Sequence, residues 1–461
     1  MGNHSSSDVS TSGASIAGVE TAWSDLRALV GAEHMHAASA EDSVDGVLPQ
    51  MVIEPGTPEE TAGALRIATD AGLMVIPRGG RTKMDWGSLF QGREPRGGAA
   101  RSGELILSTR RLNRVVEHAW GDMTATVEAG CTFQQLQQTL AEHGQRLALD
   151  PLWPDQATVG GILATNDSGP LRVRFGSLRD LVIGITLALP DGTLAKSGGK
   201  VVKNVAGYDL PKLATGSLGT LGIITQAIFR LHPLPRESRT LSFSISDSGI
   251  SVGGSSKHGS MNALVLAIQD CNMVPTGVQV RAESSSAPEV DLHEIDLRFE
   301  GTVTGCEAQI EQTLRIASTA RRTESPADVW NARSKLWSGA EPSVVCKFSL
   351  LPAELGIFLN LITKTSEPLH LVWRLVAQAV GVGYLRLEGP DCGALQNALQ
   401  NLRKELEARG GSLVILRCPL EIKSKLDVWG NAGDALTLMK NIKAQFDPTG
   451  ALNPGRFLGG I

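Results

Sequence analysis

The sequence lacks the clusters that would build a metal centre, a membrane span or a nucleic-acid interface. Its six cysteines, Cys131, Cys271, Cys306, Cys346, Cys392 and Cys418, stand singly, so no Cys-x-x-Cys or ferredoxin-like run offers a zinc site or an iron–sulfur cluster. In a chain of 461 residues with no secretory signal they read as core thiols of a reducing compartment. His258, His293 and His370, in the second half, are isolated and lack ligand spacing, so no metal site is expected. No run of eighteen apolar residues occurs, which predicts no membrane helix. With 43 basic against 48 acidic residues the charge is close to balanced, and nothing marks a nucleic-acid partner. The serine-rich opening MGNHSSSDVSTSGAS has neither an apolar run nor a basic cluster; it predicts a disordered tail, taken to cover residues 1–46.

What is present is apolar mass, 42% of the residues, too much for one core. Regular structure is expected from near Met51. Thr57-Pro58-Glu59-Glu60 is a capping box, Ala64, Leu65, Ala68 and Ala71 form a buried stripe, Gly72 ends the helix, and Leu73 to Ile76 is a short strand. Glu104 to Ser108 and Ala125 to Glu128 read as strands. Thr132 and Gln135 start a second helix with Phe133, Leu136 and Leu140 on one face. PLWPDQATVGGILATNDSG is too rich in turn residues for regular structure. Leu181 to Leu189 and Leu221 to Leu231 are further strands. From Arg236 single strands, Thr240 to Ile245, Leu264 to Ile268, Glu294 to Phe299 and Cys346 to Leu350, alternate with helical stretches such as Cys306 to Ala317. A last helix, Ala435 to Phe446, places Leu438, Met439, Ile442 and Phe446 on one face. The division implied is 47–235, 236–433 and a returning segment 434–461.

Four loops concentrate the glycines. In PRGGRTK, Gly79 and Gly80 can take positive φ and turn N–H groups inward as an anion nest, with Arg81, Thr82 and Lys83 adding donors; the alternative is a basic surface turn. Between Thr158 and Gly169, Gly160 and Gly161 permit close backbone approach, while Thr158, Thr165, Asn166 and Ser168 supply short donors. In the third loop Tyr208, one of only two tyrosines, stands beside Lys203, Asn204 and Asp209; a packed side chain is the plainer reading. The fourth, GSLGTLGIIT, spaces its glycines by three, which is not a dinucleotide fingerprint.

In this order the four loops resemble the FAD-binding domain of the vanillyl-alcohol-oxidase and p-cresol methylhydroxylase superfamily, over about residues 48 to 235 plus the terminal FDPTGALNPGRF. That implies an α+β fold, a two-part FAD-binding domain followed by an α+β cap or substrate domain. The runs GPLRVRFGSLRDLVIG and GGKVVKNVAGYDLPKLATGSLGTLGIIT are similar to a family of FAD-binding subunits of bacterial glycolate oxidase. By position, the resemblance implies that Pro77, Arg78, Gly79, Gly80, Arg81, Thr82 and Lys83 cradle the pyrophosphate. Pro151 to Thr158 and Gly161 would line the flavin, and Thr165, Asn166, Ser168 and Gly169 would hold the diphosphate and ribityl region. Gly222, Ile223 and Ile224 would meet the adenine side. Arg81 occupies the place where some members carry a flavin-tethering histidine, so non-covalent FAD is expected.

The resemblance also implies partners, a second flavin subunit and an iron–sulfur subunit, in a cytoplasmic complex whose membrane contacts would come through those partners. Two functions stay open. This chain oxidises a 2-hydroxy acid itself, with Arg172, Arg174 or Arg374 on the carboxylate and Tyr208 or Lys203 near the flavin; or its FAD only relays electrons, glycolate being oxidised by the complex. A stand-alone 2-hydroxy-acid or alcohol dehydrogenase is the further alternative.

Overall fold

Three sheets organise the chain in a computed structural model that describes residues 16–90, 103–200, 208–245, 257–284, 292–318 and 320–461. The first grows from the capping signal at Thr57. Its hydroxyl accepts the Glu60 N–H at 3.0 Å, and the Glu60 carboxylate takes the Gly56 N–H at 2.7 Å, which starts the helix Pro58–Asp70. The buried strand Leu73–Arg78 follows. It lies parallel to Gly103–Ser108, which is parallel to Met51–Ile53, with Met35–Ala37 antiparallel at the edge.

Part of the expected tail is ordered. Ile16–Val30 is a helix, and its Ala22, Leu26 and Val30, four residues apart, are buried beside the helix Pro58–Asp70. Only residues 1–15 of that tail lie outside the described residues. The serine-rich opening says nothing of the apolar period that begins after it.

The second sheet has five antiparallel strands in the order Val115–Ala119, Thr124–Glu128, Ile223–Arg230, Val182–Ala188, Leu194–Gly198. Against it pack the helices Phe133–Ala141 and Val159–Thr165, through Phe133, Leu136, Leu140, Ile162 and Leu163. The second of these helices stands where turn residues predicted none. Thr158 caps it, accepting the Gly161 N–H at 3.3 Å, and Asn166 closes it in the left-handed region at φ 48°. A seven-residue helix bounded by such capping residues has the composition of a loop.

The third sheet is antiparallel and eight-stranded, running from Glu237 to Arg417, and shares one core with the helices Lys257–Asp270, Val303–Ile316, Leu355–Ser366 and Cys392–Glu407. Leu264 to Ile268, expected as a strand, lies inside the first of these. Met261, Leu264, Val265 and Ile268 are buried at helical spacing, a period that a short apolar run conceals. The terminal helix Leu436–Phe446 also departs from expectation: Leu438 is exposed, and Lys443 turns inward to Asp447 (2.6 Å), the Thr220 carbonyl (2.7 Å) and the Leu452 carbonyl (3.0 Å). Leu452 then bridges to Val75, so the C-terminus returns to the first sheet. All six cysteines are free thiols, with Cys131, Cys306 and Cys346 buried.

Candidate cofactor site

Three of the four glycine loops and the returning C-terminus meet around one cavity. The first loop sits against the second so closely that a Cβ on Gly79 would fall 2.2 Å from Thr158 Oγ1, and one on Gly80 would fall 1.8 Å from the Gln156 carbonyl oxygen. The second is tied to the fourth by the N–H groups of Gly216 and Leu218, which donate to the carbonyls of Leu163 (2.8 Å) and Ala164 (2.9 Å). The C-terminal segment closes the ring, Asn453 Nδ2 donating to the Leu218 carbonyl at 2.7 Å.

The glycines of the first loop therefore act by absence of bulk. Neither has positive φ; the left-handed residue is Arg81, at φ 63°. The N–H groups of Gly80, Arg81, Thr82 and Lys83 donate to no other protein group among the described residues, which leaves a stretch of bare donors lining the cavity. The guanidinium groups of the loop are occupied otherwise. Arg78 and Arg81 both reach Asp42, at 2.5 and 2.6 Å. Burial alone would raise the Asp42 carboxyl; hydrogen bonds from Ser39 and Arg78 bring it down to about 2. Asp42 lies in the segment expected to be a tail, and nothing local in the sequence marks an ion pair spanning this distance.

Met84 and Trp86 also line the cavity, and behind Trp86 packs an aromatic cluster with Trp153, Trp337 and Tyr384, the Trp337 centroid lying 6.4 Å from Trp86, 5.2 Å from Trp153 and 5.9 Å from Tyr384. Trp86 and Trp153 come from the cofactor half and Trp337 and Tyr384 from the region of the eight-stranded sheet, so this cluster lies on the seam between them. Lys83 enters here, its ammonium 5.6 and 5.9 Å from the Trp86 and Trp153 rings and 2.9 Å from Asp167 Oδ2. Asp167 is fully buried and shared: Arg333, from across the seam, donates to its Oδ1 at 2.7 Å. Burial would raise the Asp167 carboxyl, but Arg333 and Lys83 beside it hold it well below the usual carboxylate range.

Of the residues expected to hold cofactor, Pro77 to Lys83, Thr158, Gly160, Gly161, Thr165 and Gly222 to Ile224 all line this cavity. Pro151 to Ala157, Asn166, Ser168 and Gly169 do not. Asn166 closes a helix through its backbone, the Ser168 carbonyl accepts from Arg333, Gly169 packs against Asp150, and Pro151 is buried. The proposed catalytic residues are not brought there either. Tyr208 is 93% exposed at the surface, Arg172 and Arg174 belong to the short helix Arg172–Phe175 beside the strand Gly277–Glu283, and Arg374 is paired with Glu388 at 2.6 Å. Lys203 and Asn204 lie outside the described residues. Lining residues that the sequence did not single out are Met84, Trp86, Thr109, Ala164, Leu218, Gly219, Asn453 and Arg456. Five of these, Met84, Trp86, Ala164, Leu218 and Gly219, follow or interrupt the glycine motifs, and two, Asn453 and Arg456, stand in the NPGRF tail, so the motifs carry the signal.

Residues 49–198 match the FAD binding domain family. The chain is an FAD-binding protein. Its fold is that of p-cresol methylhydroxylase, whose substrate-bound crystal structure superposes with a TM-score of 0.72 at 15% identity, over 96% of this chain and 97% of that one. An alkyldihydroxyacetonephosphate synthase structure gives 0.71 at 18% identity, over 95% and 86%. Among curated proteins, this flavoprotein is 26% identical to the mitochondrial D-lactate dehydrogenase [cytochrome] of Arabidopsis thaliana, over 89% of this chain and 74% of the relative. It is 25% identical to the D-2-hydroxyglutarate dehydrogenase of Xanthomonas citri pv. viticola, over 88% and 89%. Glycolate oxidase subunit GlcD of Bacillus subtilis is 33% identical, over 42% of this chain and 39% of that relative. The cavity fits the cofactor: its bare N–H donors suit a diphosphate, and the wall from Met84 and Trp86 suits a flat ring system.

Proposed function

We propose that this flavoprotein is an oxidoreductase of small 2-hydroxy acids, acting as the FAD-binding subunit of a glycolate-oxidase-like complex with a second flavin subunit and an iron–sulfur subunit. The observation that carries the substrate class is that three relatives, named for D-lactate, D-2-hydroxyglutarate and glycolate, match this chain over 89%, 88% and 42% of its length. Support for a relay role comes from the side chains proposed for substrate, Tyr208, Arg172 and Arg174, which lie off the cavity. A second reading, a dehydrogenase that works alone, is favoured by the two dehydrogenases matched along nearly the whole chain.

Bound FAD would supply a hydride acceptor. The N–H groups of Gly80 to Lys83 would hold its diphosphate, and the walls from Met84 and Trp86 would keep water from the ring. Arg81 has no nucleophile to offer where relatives tether the flavin, so the cofactor is held non-covalently in this reading. Among the described residues no helix is long and apolar enough to cross a membrane, and any membrane contact is assigned to partners.

Anaerobic addition of glycolate or D-lactate to the purified yellow chain separates the readings. An unbleached flavin that bleaches once the partner subunits are present supports the relay; bleaching of the isolated chain overturns it in favour of independent catalysis. Acid denaturation should release all FAD to the supernatant, and flavin retained on the polypeptide would overturn the non-covalent reading.

A further inference from the structure

We propose that Lys83 sets the reduction potential of the flavin, as a buried counter-charge to the reduced ring, and is not an anchor for the pyrophosphate. This rests on FAD occupying the cavity and does not depend on the substrate.

Lys83 differs from the rest of its loop. Arg78 and Arg81 are turned to Asp42, whereas the Lys83 side chain is 5% exposed and lies against the Trp86 and Trp153 rings. Its ammonium has three donors, and its carboxylate partner, Asp167 Oδ2 at 2.9 Å, is part of a group that also serves Arg333. Two cations thus share one carboxylate, and the cluster keeps a net positive charge in a place sheltered from solvent. The next carboxylate, Asp150, does not cancel it cleanly: burial pushes that carboxyl up, towards the neutral form. Burial of uncompensated charge is costly, and it persists where something else repays it.

A reducible ring provides that repayment. Uptake of a hydride adds two electrons and one proton, so the ring gains one negative charge relative to its oxidised form. A fixed cation beside the ring stabilises the reduced form more than the oxidised one, and charge near the ring is one of the protein's means of tuning a flavin. Met84 and Trp86 supply the apolar wall that an isoalloxazine takes, and the Lys83 ammonium stands 5.6 Å from the Trp86 ring.

The test uses the FAD-loaded chain and needs no natural substrate. The two-electron midpoint potential of the wild type, Lys83→Met and Lys83→Arg is read by equilibrium with indicator dyes under slow enzymatic or dithionite reduction. Removing one sheltered charge should weaken the hold on reduced relative to oxidised flavin by about tenfold or more, which lowers the potential by about 30 mV per tenfold for a two-electron couple. Lys83→Arg should stay near the wild type. Sulfite, which adds to the ring and leaves a negative charge there, should bind Lys83→Met about tenfold more weakly. A Lys83→Met protein that keeps FAD with unchanged potential overturns the proposal. So does one that loses FAD while Lys83→Arg retains it at an unchanged affinity, because that pattern assigns Lys83 to anchoring. Failure of glycolate or D-lactate to bleach the flavin bears on the proposed substrate alone.

Discussion

Gly80 shows how much of the site depends on one missing atom. A Cβ there would stand 1.8 Å from the backbone oxygen of Gln156, which no rotamer change can move aside. The sequence suggested that this glycine serves a positive φ, whereas the structure uses it for close approach of two loops. Gly80→Ala should cost the loop packing about 1–3 kcal/mol, and FAD should bind roughly tenfold to a hundredfold more weakly. Gly121→Ala, where nothing lies within 4 Å, is the control and should leave binding unchanged. Titration of the apoprotein by flavin fluorescence measures both; a Gly80→Ala protein with wild-type affinity would remove the first loop from the site.

At the scale of elements, the turn Ala40–Asp42 and the phosphate loop behave as one unit, because Asp42 holds both Arg78 and Arg81. Its carboxyl is lowered from 3.8 to about 2. A depressed carboxylate contributes stability above its unfolded pKa and loses it as pH falls through the folded one, so the Asp42 contribution is full above about pH 4 and gone below about pH 2. Its size is about 2 kcal/mol. Asp42→Asn should therefore be less stable than the wild type by about that amount at pH 7, and the two unfolding curves should converge between pH 4 and pH 2. A gap that stays constant across this interval would mean that Asp42 does not work through its charge. This pair also shows where legibility ends. The helix Pro58–Asp70 was readable because Thr57, Pro58 and Glu60 signal it within four residues, and the glycine loops were readable from their spacing. Asp42 was not, since its partners are 36 and 39 residues away. The helix Val159–Thr165 was hidden by its own caps, and Leu264 to Ile268 by a run too short to separate a period of two from one of 3.6.

For the whole molecule, the question is what holds the eight-stranded sheet over the cofactor half. Arg333 spans the seam, donating to Asp167 (2.7 Å), the Ser168 carbonyl (3.1 Å), the Asp150 carbonyl (2.9 Å) and the Tyr384 hydroxyl (3.1 Å). Arg146 and Glu300 add a second crossing at 2.5 Å, and Lys423 with Asp45 a third at 2.7 Å. Each pair joins a residue before Arg236 to one after it, so the two halves are fastened by buried charge as well as by the aromatic cluster. Breaking a buried pair from one side leaves the other charge uncompensated, at a cost of about 3–5 kcal/mol. Arg333→Met should impose that cost mainly on the seam, and calorimetry should resolve two transitions where the wild type shows one, since each half keeps its own core. Arg333→Lys should recover only part of the loss, because an ammonium cannot match the fork that reaches four acceptors. A single transition at the wild-type midpoint in Arg333→Met would mean that the aromatic cluster, with Trp337 between Trp86 and Tyr384, fastens the halves without help from charge.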